Sequence, residues 1–264
     1  MQFNAVLRQI GTMMIVTAAA WLWQVYGRVM ANEAVLATFA VFIAVIALAL
    51  WRRAKSRREV WLNAYFQKQS PISHWLRGGA WMLILQGLTA IVLGLYLAIT
   101  LLRTQSLLTW VGLLVVSIIL PIMSHMIARV SQAHIHSSYR QVFSTRIAAF
   151  CLGVVLWCVL LVDHYYSVYP DFRTVNLDQA IWYMMTSEQA RSGFLLTSLE
   201  IVAAADGLRL WLAQHLLPAP ATELWQVIAW CLLLAQEALF VWSYLLMCVG
   251  ALSLHHRFTA MRGQ

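Results

Sequence analysis

Charged residues are scarce in this sequence. Asp, Glu, Lys and Arg make up only 11% of its 264 residues, whereas 62% of the residues are hydrophobic. A water-soluble domain has about 25% charged residues because its surface must interact with water. The shortage argues against a soluble globular protein and indicates that lipid is the main solvent. It also argues against nucleic-acid binding, which needs a basic face on a folded soluble domain.

Motifs of common catalytic sites are also lacking. The sequence contains no nucleophile elbow of the type GxSxG, no HExxH and no Gly-rich phosphate loop. Its four cysteines fall inside apolar runs and form no CxxC or Cys/His metal spacing. We predict that they are packing side chains. These absences favour a non-enzymatic protein, although they do not exclude an enzyme that works inside the membrane.

Long uncharged runs take the place of the missing charges. Five of them lie between charged residues, and a sixth qualifies if Glu237 is tolerated: 9–27, 34–51, 78–102, 104–128, 147–162 and 224–254. A helix needs about 20 apolar residues to cross the hydrocarbon core, with about 17 as a lower limit. The first run continues through Trp21 and Trp23, so we predict a retained helix rather than a signal peptide. The sequence therefore predicts an all-α integral membrane protein with a bundle of about six transmembrane helices.

The basic residues predict the orientation of the bundle. They concentrate in "WRRAKSRRE" (51–59), in "ARVSQAHIHSSYRQVFSTR" (128–146) and in the tail "HHRFTAMRGQ" (255–264), and all three stretches follow even-numbered helices. Lys and Arg near helix ends stay on the cytoplasmic side. Seven of the ten acidic residues lie instead between residues 163 and 223. We predict a multi-pass protein of the bacterial inner membrane with both termini in the cytoplasm.

These patterns divide the chain into three parts. Residues 1–164 carry five transmembrane helices with basic cytoplasmic loops, 165–223 form an external, partly amphipathic helical segment, and 224–264 hold the sixth transmembrane helix and a basic cytoplasmic tail. Residues 56–77 place apolar side chains at helical spacing among basic ones, which predicts an interfacial inner helix.

The stretch 194–217 is the main ambiguity in this topology, because it is long enough to cross the membrane a seventh time. A crossing would bury Glu200, Asp206 and Arg209, and an ion pair between Asp206 and Arg209 at i, i+3 lowers that cost only in part. An external helix is therefore favoured.

Small residues predict where helices approach each other closely, since membrane helices associate through tight packing rather than the hydrophobic effect. One stripe lies on the second predicted helix and another on the third: Ala37, Ala40, Ala44 and Ala47, and Ala90, Gly94 and Ala98.

Glu237 is the most unusual residue, because it interrupts the apolar run "LLLAQEALFVW" (232–242) beside Gln236. Counted along its run it lies about 18 Å deep, where a charge costs about 3 kcal/mol on insertion scales. We expect no cation deep in the bundle to pair with it. Three roles stay open: a protonated hydrogen-bonder between helices, helped by Gln86; a proton or cation site; or half of an ion pair completed by another protein.

Two further groups of residues carry polar chemistry. Asp163 and His164 form a polar cluster at the outer interface, at the end of the fifth run, which is typical of a membrane boundary. His125, His134 and His136 are weak candidates for metal or haem ligands, because no second buried histidine faces His125 and the other two diverge on a helix. We predict no cofactor.

The sequence favours a non-enzymatic membrane subunit that anchors or scaffolds a multi-protein inner-membrane complex. Its expected partners are the lipid bilayer and another membrane protein subunit or a second copy of the chain. A small transporter or channel subunit that uses Glu237 as a proton or cation site is the alternative. A membrane redox or metal protein that uses the inner-face histidines is the third hypothesis.

Overall fold

The computed structural model describes residues 2–65, 80–133, 135, 137–166, 169–216 and 223–262. Within these ranges the chain is all-helical and has no strand, which confirms the predicted secondary-structure class. Eight α-helices follow one another: α1 Gln2–Tyr26, α2 Asn32–Tyr65, α3 Ala80–Arg103, α4 Leu107–Val130, α5 Ser137–Tyr166, α6 Leu177–Thr186, α7 Gly193–Leu216 and α8 Glu223–Arg262. Two short 3-10 turns, Gly27–Val29 and Ser131–Ala133, follow α1 and α4.

Six of the described helices are long and apolar enough to cross a membrane. The qualifying stretches are Val6–Val29, Asn32–Arg58, Met82–Arg103, Leu107–Ala133, Tyr139–His164 and Leu234–Leu254, which belong to α1 to α5 and α8. Large apolar side chains cover their outer faces, as at Ile15, Val92 and Phe150. The 24-residue α7 is not one of the six.

The helices form a bundle with two different ends. Helices α1, α3 and α5 finish, and α2 and α4 begin, at an end that is covered by the paired helices α6 and α7; we call it the capped end. Helix α7 also contacts α8, α2 and α3 there. The Arg191 amide donates to the Arg28 carbonyl at 2.9 Å, and the Ser192 hydroxyl bonds to the Asn32 side chain, so the start of α7 is tied to the beginning of α2. The opposite end carries Arg52 and Arg53 of α2.

Small residues mark two close helix crossings. Ala90, Gly94 and Ala98 of α3 are buried, and a Cβ atom added to Gly94 would lie 3.0 Å from Ile43 Cα of α2, which confirms that predicted seam. A Cβ atom on Gly250 of α8 would collide with the Val45 carbonyl oxygen of α2.

The stripe of small residues predicted on α2 is wrong as a packing face. Ala37, Ala40 and Ala44 are exposed on the described chain, and Ala47 is half-buried. Helix α2 turns its larger side chains to the core instead: Phe39, Phe42 and Ile46 are buried. The larger side chains bury more apolar area and make more dispersion contacts, and Gly94 of α3 makes the room that the close approach requires.

The predicted interfacial helix is not separate over its first part. Helix α2 runs without a break from Asn32 to Tyr65, so residues 56–65 are its continuation. No Gly or Pro occurs between Ala49 and Tyr65 to end it. Its 34 residues are roughly 51 Å long, well beyond the hydrocarbon thickness of about 30 Å. Residues 66–77 of the predicted interfacial helix lie outside the described residues.

Candidate functional site

The capped end contains a network of charged side chains contributed by distant parts of the chain. Arg28 lies in the 3-10 turn after α1, Arg103 is the last residue of α3, and Glu188 lies in the connection between α6 and α7. Helices α5, α7 and α8 supply the remaining members. We call this group the capped-end network: Arg28, Arg103, His164, Glu188, Asp206, Arg209, Gln236 and Glu237.

Arg103 is the centre of this network because it bonds to two carboxylates. Its Nε atom donates to Glu188 Oε1 at 2.8 Å, and its Nη1 atom donates to Asp206 Oδ2. The second oxygen of Glu188 lies 3.0 Å from Arg28 Nη2. Only 7% of the Glu188 side chain and 12% of the Asp206 side chain are exposed. A carboxylate this well buried must be paired, so these contacts are essential to the local fold.

Asp206 links α7 to α8 as well as to α3. Gln236 Nε2 donates to Asp206 Oδ1 at 2.8 Å, and Arg209 Nη2 lies 3.6 Å from the same oxygen. The structure thus brings together the two residues of the i, i+3 pair that the sequence singled out, and it adds Arg103 and Gln236 as partners from other helices. One carboxylate joins three helices.

Glu237 faces a cation of the same chain, contrary to the expectation from the sequence. Its Oε1 atom lies 3.7 Å from Arg209 Nη1 and 3.8 Å from His164 Nδ1. The contact with Arg209 has the length of an ion pair rather than of a hydrogen bond. Arg209 reaches Glu237 because α7 lies against α8 at the capped end.

Glu237 lies level with the end of α5, where His164 is its neighbour, rather than half-way along the bundle. Gln236, the residue before it, bonds to Asp206 of the cap. Helix α8 has 40 residues and is roughly 60 Å long, so the middle of the uncharged run does not coincide with the middle of the bundle.

Gln86 does not belong to this network. It lies on α3 beside Gly87 and faces Ala44, Ala47 and Trp51 of α2. The position expected for it is taken by Tyr96, whose hydroxyl donates to the Gln236 carbonyl at 3.0 Å. Tyr96 is ten residues beyond Gln86, or roughly 15 Å along α3.

Asp163 and His164 have different partners although they are neighbours. Asp163 accepts hydrogen bonds from Ser106 Oγ at 2.7 Å and from Thr109 Oγ1 at 2.9 Å, and so fastens the end of α5 to the start of α4. His164 Nδ1 lies 2.7 Å from the Tyr169 hydroxyl as well as facing Glu237. His164 is thus part of the capped-end network, whereas Asp163 adjoins it.

The histidines proposed as metal ligands are separated from this site. His125 lies on α4 toward the opposite end, and His134 and His136 are outside the described residues. Within the described ranges, no group of three or more His, Cys, Asp or Glu side chains is suited to hold a metal ion.

Sequence reasoning missed three members of the network: Arg28, Arg103 and Glu188. A signal was available, because Arg28 and Arg103 both follow odd-numbered apolar runs and therefore emerge on the side that carries the acidic segment. The network contains three arginines and three carboxylates, and their contacts fasten the cap to the bundle. Comparisons with protein-family models, with curated proteins and with solved structures found no match to this chain.

Proposed function

We propose that this chain is a non-enzymatic, multi-pass membrane protein that anchors or scaffolds a multi-protein complex and presents its capped end to a partner. The observation that carries the proposal is the capped-end network. Arg103 binds both Glu188 and Asp206 and so holds the cap on the end of α3. A short helical cap fixed by buried ion pairs keeps a constant shape, which is what a docking surface requires.

Exposed aromatic side chains on the cap support a partner at this end. On α6, 67% of Trp182 and 57% of Tyr183 are exposed, and both residues lie outside the six apolar stretches. Trp and Tyr are enriched at the centres of protein interfaces. The partner is another membrane subunit or a second copy of this chain.

The distribution of charge supports the proposed location and orientation. Arg52, Arg53 and Arg146 lie toward the opposite end, whereas Glu188 and Asp206 lie at the capped end. We place the basic end and both termini in the cytoplasm of a bacterial cell and the cap outside its inner membrane.

The contact of Glu237 with Arg209 argues against the transporter alternative, which uses Glu237 as its proton or cation site. The same contact, at 3.7 Å, also removes one argument for the scaffold, the expectation that Glu237 has no cation in its own chain. A guanidinium so close repels a bound cation, so a cation site there would first have to displace Arg209.

Co-purification tests the proposal. A tagged full-length chain is extracted from its membrane with a mild detergent, and the accompanying proteins are identified and quantified by mass spectrometry. We expect a stoichiometric membrane partner, or a defined oligomer of the chain by light scattering. The double variant Trp182→Ala/Tyr183→Ala should lose the partner because it removes the exposed aromatic contact area.

Trp21→Ala is the matched control, since Trp21 is also an exposed tryptophan, 51% accessible, but lies on α1 within an apolar stretch. It should keep the partner. A wild-type chain that stays monomeric and alone after in-membrane cross-linking would refute the proposal. Equal losses in the two variants would show that the cap is not the docking surface.

A further inference from the structure

A groove of about 1000 Å³ runs from Ala238, next to the capped-end network, towards the opposite end of the bundle, between α4, α5, α8 and α2. Its walls are mostly apolar and include Val154 and Trp157 of α5 and Leu245 of α8. Along α8 it extends from Ala238 to Ser253, which is roughly 22 Å. Phe150, 72% exposed, stands at its edge, so the groove opens sideways towards the surroundings of the bundle.

One end of this groove is basic. Arg53, Arg140 and Arg146 are among its lining residues, and the described lining contains no acidic residue. Arg53 and Arg146 are close enough to repel each other, and both are repelled by Arg57. Arg53 also lies over the Trp242 ring, 4.9 Å from its centroid, where the basic and apolar parts of the groove meet. Like charges crowded in this way favour an anion between them.

Three buried polar atoms in the lining point to the same ligand chemistry. Ser124 Oγ, His125 Nε2 and Arg140 Nε are buried and have no hydrogen-bond partner among the described residues. Buried polar atoms in native proteins nearly always have a partner, from the protein or from a bound molecule. The Arg140 Nε–H group is always a donor, so the missing partner offers an acceptor oxygen.

We propose that this groove binds an anionic phospholipid. The phosphate oxygens accept hydrogen bonds from Arg140 and lie between Arg53 and Arg146, and the acyl chains follow the apolar wall past Phe150, Val154 and Trp157. The roughly 22 Å of groove exceed the depth of one bilayer leaflet, about 15 Å. One guanidinium can donate two parallel hydrogen bonds to a phosphate, and basic pockets between transmembrane helices bind acidic headgroups.

A helix from another protein explains the groove less well, because an apolar helix would leave the arginines at the basic end without an anion. The inference uses the membrane location within the proposed function and not the partner, so loss of lipid binding and loss of partner co-purification are separate results.

Native mass spectrometry of the detergent-purified full-length chain tests the proposal. The protein is delipidated and titrated with phosphatidylglycerol, with phosphatidylcholine of the same acyl chains, and with inorganic phosphate as competitor. We expect one tightly bound phosphatidylglycerol, at least tenfold weaker binding of phosphatidylcholine, and no competition by millimolar phosphate. Equal affinity for the two lipids, or displacement by phosphate alone, would overturn the proposal.

Two variants locate the site on the protein. Arg140→Gln/Arg146→Gln should weaken phosphatidylglycerol binding about tenfold, while Arg129→Gln, an exposed arginine of α4 outside the groove lining, should stay within twofold. Val154→Trp fills the apolar wall and should weaken the long-chain lipid without changing the charge. Circular dichroism and gel filtration confirm that each variant is folded. Unchanged binding in both folded groove variants, or a co-purifying protein cross-linked to Phe150, would refute lipid occupancy.

Discussion

Substitution of Arg103 should lower the stability of the protein strongly, because its single guanidinium pairs with two buried carboxylates. Arg103→Gln removes the closer of the two cations at Asp206, so that Arg209 remains at 3.6 Å, and it leaves Glu188 with Arg28. Removing one partner of a buried ion pair costs about 3–5 kcal/mol, and we expect a loss near the lower figure, about 3 kcal/mol, because 16% of Arg103 is exposed. Denaturant unfolding of the detergent-solubilised protein measures the loss.

A double-mutant cycle separates this coupling from general damage. Arg103→Gln/Asp206→Asn should be more stable than the sum of the single losses, because the second change removes the carboxylate charge that Arg103 no longer pairs. Arg173→Gln, at an exposed position in the cap, should stay within about 0.5 kcal/mol of wild type. Additive losses of unfolding free energy for Arg103→Gln and Asp206→Asn would show that the contact between these two residues does not hold the cap.

Tyr244 makes a second residue-scale link, deep in the core. Its fully buried hydroxyl lies 3.0 Å from Thr17 Oγ1 and donates to the Leu113 carbonyl at 3.0 Å, so it joins α8 to α1 and α4. Tyr244→Phe should cost about 1 kcal/mol of unfolding free energy, typical of a hydrogen bond between membrane helices. Tyr183→Phe, at an exposed position, is the control and should change stability little. Equal effects of the two changes would argue against the bridge.

At the scale of helices, a close crossing needs glycine, whereas an exposed position on a helix does not. A Cβ atom on Gly250 meets the Val45 backbone, so Gly250→Ala should destabilise the bundle by about 1–3 kcal/mol, as overpacking does. At Gly11 no described atom lies within 4 Å of an added Cβ atom. Gly11→Ala should therefore stabilise α1 by up to about 1 kcal/mol through its better helix propensity.

Thermal unfolding of both glycine variants in the same detergent measures the difference in stability. Gly94→Ala should resemble Gly250→Ala, because a Cβ atom added to Gly94 lies 3.0 Å from Ile43 Cα. Stabilisation of all three variants would mean that helix propensity outweighs packing at these crossings.

The same helices show what the sequence can and cannot predict. Uncharged runs predict the six long apolar helices because each needs only a local surplus of apolar residues. They do not predict how far a helix extends, as α2 and α8 demonstrate with 34 and 40 residues. That extension moved Glu237 from the expected middle of the bundle to the capped end.

Most members of the capped-end network could not be predicted from local sequence patterns either. Asp206 and Arg209 are visible as a pair because they share a helix at i, i+3. Arg103 and Glu188 are 85 residues apart, and nothing local relates them. Only the packing of α7 across α3 and α8 brings the arginine at one helix end to the carboxylates of the cap.

At the scale of the whole molecule, the separation of charge between the two ends predicts its orientation. Acidic residues of the described chain cluster around the cap, and arginines line the groove at the opposite end. If basic residues stay on the cytoplasmic side, then the cap and the lipid groove are on different sides of the membrane. A partner that binds the cap would be external, and the lipid would come from the cytoplasmic leaflet.

Cysteine labelling decides this topology. In a background with the native cysteines replaced, Arg173→Cys in the cap and Arg57→Cys on α2 each introduce a thiol at an exposed position. A membrane-impermeant maleimide should label Arg173→Cys in intact spheroplasts, and Arg57→Cys only after permeabilisation. The reverse pattern would invert the protein and move the lipid site to the outer leaflet. Labelling of both in intact spheroplasts would mean that α2 does not separate the two ends by crossing the membrane.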